Sequence, residues 1–230
     1  MTLFHYRGAP VRLHGSFLAL AAIWIGWELL TAGVGAAASL AALGALIFGS
    51  VLLHELGHAE AARRHGIRTR AITLFPFGGV ASLEAEPQNP KVELIVALAG
   101  PAVNGALALA AWGLLALGVP GAAWLLGINV AMGLFNLVPA FPMDGGRVLR
   151  AFWSLRHGLV EATLRALKLS RVLAWSFVAL GILWSPSLAL VGAFLLFANR
   201  AERARWEAVA RRRRWDVPRP APGMFAHPVT

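Results

Sequence analysis

The sequence predicts an all-α polytopic membrane protein with six transmembrane helices and one small membrane-associated β-hairpin near residues 70–83. Three observations predict it. Apolar residues make up 58% of the 230 residues and charged residues only 14%, against about 25% charged in an ordinary soluble domain. Mean hydropathy is +0.64. Six apolar stretches reach or approach the length needed to cross a hydrocarbon core of about 30 Å. The basic residues, finally, are confined to alternate connections between those stretches. Such a chain is too apolar for general disorder. Cysteine is absent, which excludes a disulfide framework, a thiolate metal site and a cysteine nucleophile.

The expected spans are Phe17–Val34, Ala36–Ala62, Val92–Leu117, Ala122–Val138, Leu164–Trp184 and Ser187–Asn199. The last two are the weakest, and the final one borrows a turn from the amphipathic stretch Arg200–Ala210. With the N-terminus in the cytoplasm, the outward connections are Gly33–Ala36, Gly118–Gly121 and Trp184–Ser187. None of them holds a Lys or Arg, and all 21 basic residues fall elsewhere. That distribution obeys the positive-inside rule with six spans and both termini cytoplasmic; an odd number of spans breaks it. A cleaved signal peptide ending near Gly35–Ala38 fits poorly. Trp24, Trp27 and Glu28 interrupt the apolar run, which then continues through a short turn into another span. No internal repeat is visible.

Residues 1–199 therefore read as one membrane core. Residues 200–230 read as a basic cytoplasmic tail, partly helical and then, from Pro218, disordered. The net charge of +10 needs no nucleic acid. An anionic cytoplasmic leaflet attracts the run Arg211–Arg214 at about 1 kcal/mol per basic residue.

The second span contains His54-Glu55-Leu56-Gly57-His58, an H-E-x-x-H pattern on a helix. Residues i and i+4 share a face, so both imidazoles can reach one metal ion. Chance placement of this pattern in such a chain is on the order of 1%, and ionisable groups in a span are by default functional. Catalytic zinc takes three protein ligands and keeps a fourth position for water. Glu55 is then placed to take a proton from that water and hand it to a leaving amine. By the helical rise, His54 and His58 lie about 13 and 7 Å below the cytoplasmic end of the span at Arg63.

The third ligand must come from another helix at similar depth. Asp144 is the candidate, in Asn136-Leu137-Val138-Pro139-Ala140-Phe141-Pro142-Met143-Asp144-Gly145-Gly146. Pro139 and Pro142 forbid a regular helix, and irregular backbone at membrane depth is tolerated where it lines a wet cavity. Gly145 and Gly146 allow close backbone approach. Asp144 leads a short helix over Gly146–Leu155, or serves only as its N-cap.

Residues 70–83 are too short and interrupted for a span. They are rich in strand formers and turn at Pro76 and Gly78–Gly79, so they read as a β-hairpin dipping into the membrane edge or as an amphipathic loop on its surface. Asn104 and Asn129 read first as polar glue between helices. Glu28 is an intramembrane charge whose reading stays open between a gate element and a partner for a basic headgroup. His65 reads as interfacial.

Together these residues resemble the site-2 protease family of intramembrane zinc metalloproteases, peptidase family M50. HELGH at 54–58 and the Asn-x-x-Pro-x-x-Pro-x-Asp-Gly-Gly segment at 136–146 carry the resemblance. Phe77-Gly78-Gly79-Val80-Ala81 and Gly100-Pro101-Ala102-Val103-Asn104 support it. The resemblance spans roughly residues 12–200. It implies one Zn2+ held by His54, His58 and Asp144, Glu55 as acid/base, and Asn136 as a stabiliser of the tetrahedral oxyanion, with an interhelical hydrogen bond as the other reading of Asn136. It implies regulated intramembrane proteolysis, in which a transmembrane substrate, already trimmed by another protease, is cut within the bilayer. It also strengthens the hairpin, whose free edge could pair with an unwound substrate. The expected form is compact, without PDZ or CBS domains, in a prokaryotic cell membrane. A metal transporter or channel using the same His and Asp side chains is the alternative. Substrate identity and oligomeric state are not encoded legibly.

Overall fold

The computed structural model describes residues 1–76 and 78–215, with side chains as far as 211. Phe77, the side chains of 212–214 in the arginine run, and the Pro-rich end expected to be disordered lie outside the described residues.

The order of elements is β1 (Thr2–Tyr6), β2 (Ala9–Leu13), α1 (Gly15–Thr31), α2 (Val34–Arg64), β3 (Thr69–Phe75), β4 (Gly78–Leu83), α3 (Pro90–Ala116), α4 (Ala122–Asn136), α5 (Asp144–Ser154), α6 (Leu159–Trp184) and α7 (Pro186–Trp215). Among the described residues, three helices, α2, α3 and α6, are long and apolar enough to cross a membrane. The helices α1 and α4 are apolar but shorter, with 17 and 15 residues, or about 25 and 22 Å at 1.5 Å per residue. The expected final span, Ser187–Asn199, is only the apolar front of a 30-residue helix. Its amphipathic continuation is several turns rather than one. The turn between α1 and α2 falls at Ala32–Gly33, earlier than expected, where Gly33 adopts φ +87°, a conformation open to glycine for want of a Cβ.

The expected hairpin is present, with β3 and β4 paired antiparallel from Phe75↔Gly78 to Thr69↔Leu83. It is not alone. The N-terminal residues form a second hairpin, and β2 pairs with β3 in parallel, giving one four-stranded sheet in the order β1-β2-β3-β4. The parallel pair needs a crossover, and here the crossover is the α1–α2 helical pair. The sheet packs on α2 through buried Val11, Ile72 and Ala59, with Leu52, Leu56 and Ala81 around them. This packing lays β4 along the helix that carries the histidines.

The connection from α4 to α5 is irregular, as the two prolines require. The Phe141 amide donates to Ser170 Oγ on α6 at 2.9 Å, and the Met143 amide to the Ala140 carbonyl at 2.8 Å. Ala140 and Met143 pack against Ala174 of α6 and Leu195 of α7. The loop is thereby fixed, and α5 begins two residues earlier than expected, at Asp144 itself, with Met143 as its N-cap. A Cβ on Gly145 would meet the Leu137 and Val138 carbonyl oxygens, so this close approach requires glycine.

Candidate metal centre

Helix α2 presents His54 and His58 one turn apart, their ring centroids 4.6 Å apart and their planes at 82°. Each ring is held at its Nδ1. His58 Nδ1 lies 2.7 Å from the Val96 carbonyl of α3. A carbonyl only accepts, so this nitrogen carries the proton and Nε2 carries the lone pair. His54 Nδ1 lies 2.6 Å from Asn104 Oδ1, while Asn104 Nδ2 donates to Asn129 Oδ1 at 2.9 Å. With the Asn104 amide so assigned, His54 is the same tautomer.

The two Nε2 atoms point at each other and at Asp144. Nε2···Nε2 is 3.0 Å, and Asp144 Oδ2 lies 3.1 Å from His54 and 3.2 Å from His58. All three side chains are buried. Three lone-pair atoms facing one another repel unless a cation, metal or proton, sits among them. A tetrahedral site with bonds of about 2.0–2.1 Å has edges of about 3.3 Å, and two histidines with a carboxylate are a standard zinc donor set. The residues therefore fit zinc. The backbone is cut back to suit: a Cβ on Gly100 of α3 would sit 2.6 Å from His54 Nε2 and run into His58. Asp144 is thus not a plain N-cap. It stands in the first turn of α5, and its carboxylate is turned to the rings.

Beside this cluster opens a cavity of about 470 Å³, walled by β4 on one side and by α4 and α5 on the other. Glu55 faces it. Its Oε2 accepts the Ala81 amide of β4 at 3.0 Å, and a Cβ on Gly79 would lie 2.5 Å from its Cγ. The strand therefore lies directly over this carboxylate. Asn136 also lines the cavity, with one amide hydrogen directed to the Met132 carbonyl at 3.1 Å. Arg147 lines it too, its Nη1 3.9 Å from the second carboxylate oxygen of Asp144.

Several supporting residues escape a reading of the sequence. Asn104 and Asn129 are more than helix glue: they form a chain from Ser50 Oγ through Asn129, whose Nδ2 donates at 3.0 Å, to Asn104 and the ring of His54. Such partners fix the tautomer and orientation of a ligating histidine. Glu93 of α3 and Arg150 of α5, both buried, pair with Nε···Oε1 of 2.6 Å. Arg150 also stacks near Phe141 and Trp206, 5.5 and 5.6 Å from their ring centres. A charge four residues into an apolar helix was the one signal that could have flagged Glu93. His65 ends α2, exposed, with Nδ1 donating to the Ala61 carbonyl at 2.8 Å.

Comparison with known proteins places this geometry. The family model for peptidase family M50 matches residues 42–121 and 118–179. The chain is 36% identical over 252 residues to the putative zinc metalloprotease Rip3 of Mycobacterium tuberculosis, covering 97% of this chain and 63% of that protein. It is 35% identical over 207 residues to the zinc metalloprotease MJ0392 of Methanocaldococcus jannaschii, covering 87% and 59%. The chain thus spans about three fifths of the length of the curated relatives it matches. The structure of the site-2 protease from Methanocaldococcus jannaschii superposes with a TM-score of 0.63 at 31% identity, covering 88% of this chain and 94% of that one. The apolar helices, the histidine pair, the aspartate opposite it and these relatives agree: the chain belongs to peptidase family M50, the zinc metalloproteases of the site-2 protease type.

Proposed function

We propose that this chain is an intramembrane zinc endopeptidase that hydrolyses peptide bonds within or near the transmembrane segments of membrane-protein substrates. The observation that carries the reading is the convergence of His54, His58 and Asp144 with Glu55 at the wall of one cavity. Bound zinc supplies a Lewis acid that polarises a carbonyl and lowers the pKa of water to about 7.

The residues of the chain do the rest. Glu55 accepts a proton from the attacking water and returns it to the leaving amine. Its bond to the Ala81 amide keeps the carboxylate over the cavity. Asn136, with a second amide hydrogen to offer, and Arg147 are the side-chain donors available to a developing oxyanion. The strand β4 is the edge of the sheet. A substrate helix unwound at the scissile bond can pair with it by strand addition, which replaces backbone bonds lost on unwinding.

The membrane arrangement belongs to the same proposal. Six crossings, with α1, α4 and the front of α7 as the shorter ones, leave both termini and every basic residue on the cytoplasmic side. The sheet, the C-terminal end of α2 and the polar half of α7 then lie together at that face. The Arg205 bond to Glu86, 2.8 Å long, supports this by joining α7 to the β4–α3 connection. The expected setting is a prokaryotic cell membrane with an anionic inner leaflet, and the expected substrate is one already trimmed outside.

Glu55→Gln tests the assignment in vesicles with a co-reconstituted single-span substrate. Cleavage is expected to fall by about 10²–10⁴-fold with zinc content unchanged. Cleavage at the wild-type rate contradicts it, and zinc flux into vesicles without hydrolysis would favour a transporter.

A further inference from the structure

A second site lies at the β1–β2 turn and the start of β3, and none of His54, Glu55, His58 or Asp144 lines it. A concavity of about 750 Å³ opens between the β1–β2 turn and the start of β3. Arg7 projects from the turn, where its backbone is left-handed at φ 51° and that of Gly8 at φ 89°. Arg68 and Arg70 flank the first residue of β3. The small residues Ala9 and Ala59, 4% and 2% exposed, line the concavity between them and leave room in it.

The charges there are unbalanced. Arg63, at the rim, is already held by Glu60 at 2.7 and 2.8 Å, and Glu60 also takes Arg64 and the Tyr6 hydroxyl. Among the described residues, no ion pair reaches Arg7, Arg68 or Arg70. The side-chain bond of Arg70, among the described residues, goes to the backbone carbonyl of Glu84, at 3.5 Å. Glu84 borders the concavity without forming an ion pair with any of them. Three guanidinium groups around one hollow repel each other unless an anion enters, and their planar donor forks suit phosphate oxygens.

We propose that Arg7, Arg68 and Arg70 bind the phosphate group of an anionic phospholipid. The inference uses the orientation proposed above, in which this end of α2 meets the cytoplasmic headgroup layer. An apolar cavity of about 630 Å³, lined by Leu3, Phe17, Trp24, Phe48, Leu52 and Leu74 among others, lies deeper on the same framework. Along α2, eleven residues separate Leu52 from Arg63, about 16 Å at the helical rise. Basic hollow above apolar groove is the order in which a lipid stacks phosphate above acyl chain. That order favours a lipid over free phosphate. A lipid seated there ties β1, β2 and β3 to the bilayer surface and so fixes the height of β4 over Glu55.

The test is native mass spectrometry of the full chain released from nanodiscs of equal phosphatidylglycerol and phosphatidylcholine. The wild type is expected to retain one phosphatidylglycerol per chain. The variant Arg7→Gln/Arg68→Gln/Arg70→Gln is expected to lose it, while Arg156→Gln/Arg165→Gln/Arg171→Gln, which removes equal charge at exposed positions elsewhere, keeps it. Circular dichroism and zinc content, unchanged in both, exclude misfolding, and Arg7→Lys/Arg68→Lys/Arg70→Lys recovers part of the binding. Equal retention of both lipids, or equal loss in both triple variants, overturns the site. Inorganic phosphate raising the melting temperature of lipid-free wild type, but not of the first variant, overturns the lipid in favour of free phosphate. Proteolysis and zinc binding can fail or succeed independently of each result.

Discussion

Two seams hold helices together here by opposite means. Where α2, α3 and α4 meet, the contact is polar: Ser50, Asn129, Asn104 and His54 form one hydrogen-bonded chain across three helices. Where α6 meets α7, the contact is apolar, with Ala174, Phe177, Val191 and Leu195 packed together and the backbones brought close at two glycines. A Cβ on Gly181 would lie 2.5 Å from Ala189 Cα, and one on Gly192 would lie 2.6 Å from the Val178 nitrogen. Among the described residues, a side-chain hydrogen bond crosses it from Asn199 Nδ2 to the Leu167 carbonyl, 3.0 Å. Small-residue packing gives association without orienting any side chain. A polar chain does both, because each member restricts the rotamer of the next. The first seam therefore sets chemistry, while the second, through Ala174 and Leu195, holds the loop that delivers Asp144.

The sharpest way to break this contrast is to remove the piece that joins the seams. Asp144→Ala takes away the third donor and should abolish both stoichiometric zinc and cleavage, a loss far beyond the 10–100-fold of a supporting residue. Metal analysis with a cleavage assay reads it. Gly100→Ala should follow closely, since its methyl group occupies the space before both ring nitrogens; helicity by circular dichroism should stay near wild type. Asn104→Ala leaves every ligand in place and frees only the His54 ring. It should lower zinc affinity by about 10–100-fold, measured by competition with a chelator. Gly192→Val attacks the other seam. It should cost about 1–3 kcal/mol of stability by overpacking, with zinc affinity unchanged; a weakened metal site there would erase the distinction between the two seams.

The same contrast explains what was legible in the sequence. His54, Glu55 and His58 could be read because one helical turn is a local spacing, and Asp144 because two prolines and two glycines announce a built loop. Asn104 could not be matched to His54, since fifty positions separate them and only the packing of α3 on α2 makes them neighbours. Glu93 and Arg150 are hidden for the same reason. The hairpin at β3–β4 carried its turn at Pro76 and Gly78. The N-terminal hairpin has a shorter signal, Arg7-Gly8 between five-residue strands, and its parallel pairing with β3 depends on a crossover through two helices. The second half of α7 is amphipathic, so its continuation beyond Asn199 carries no apolar run in the sequence.

Zinc-edge X-ray absorption on the purified chain tests the centre most directly. The wild type should show one ion per chain in a nitrogen and oxygen shell at about 2.0–2.1 Å, with the outer-shell scattering of two imidazoles, and that signature should vanish in His54→Ala/His58→Ala. Stoichiometric zinc with an unchanged imidazole signature in the double variant would show that the ion is held elsewhere.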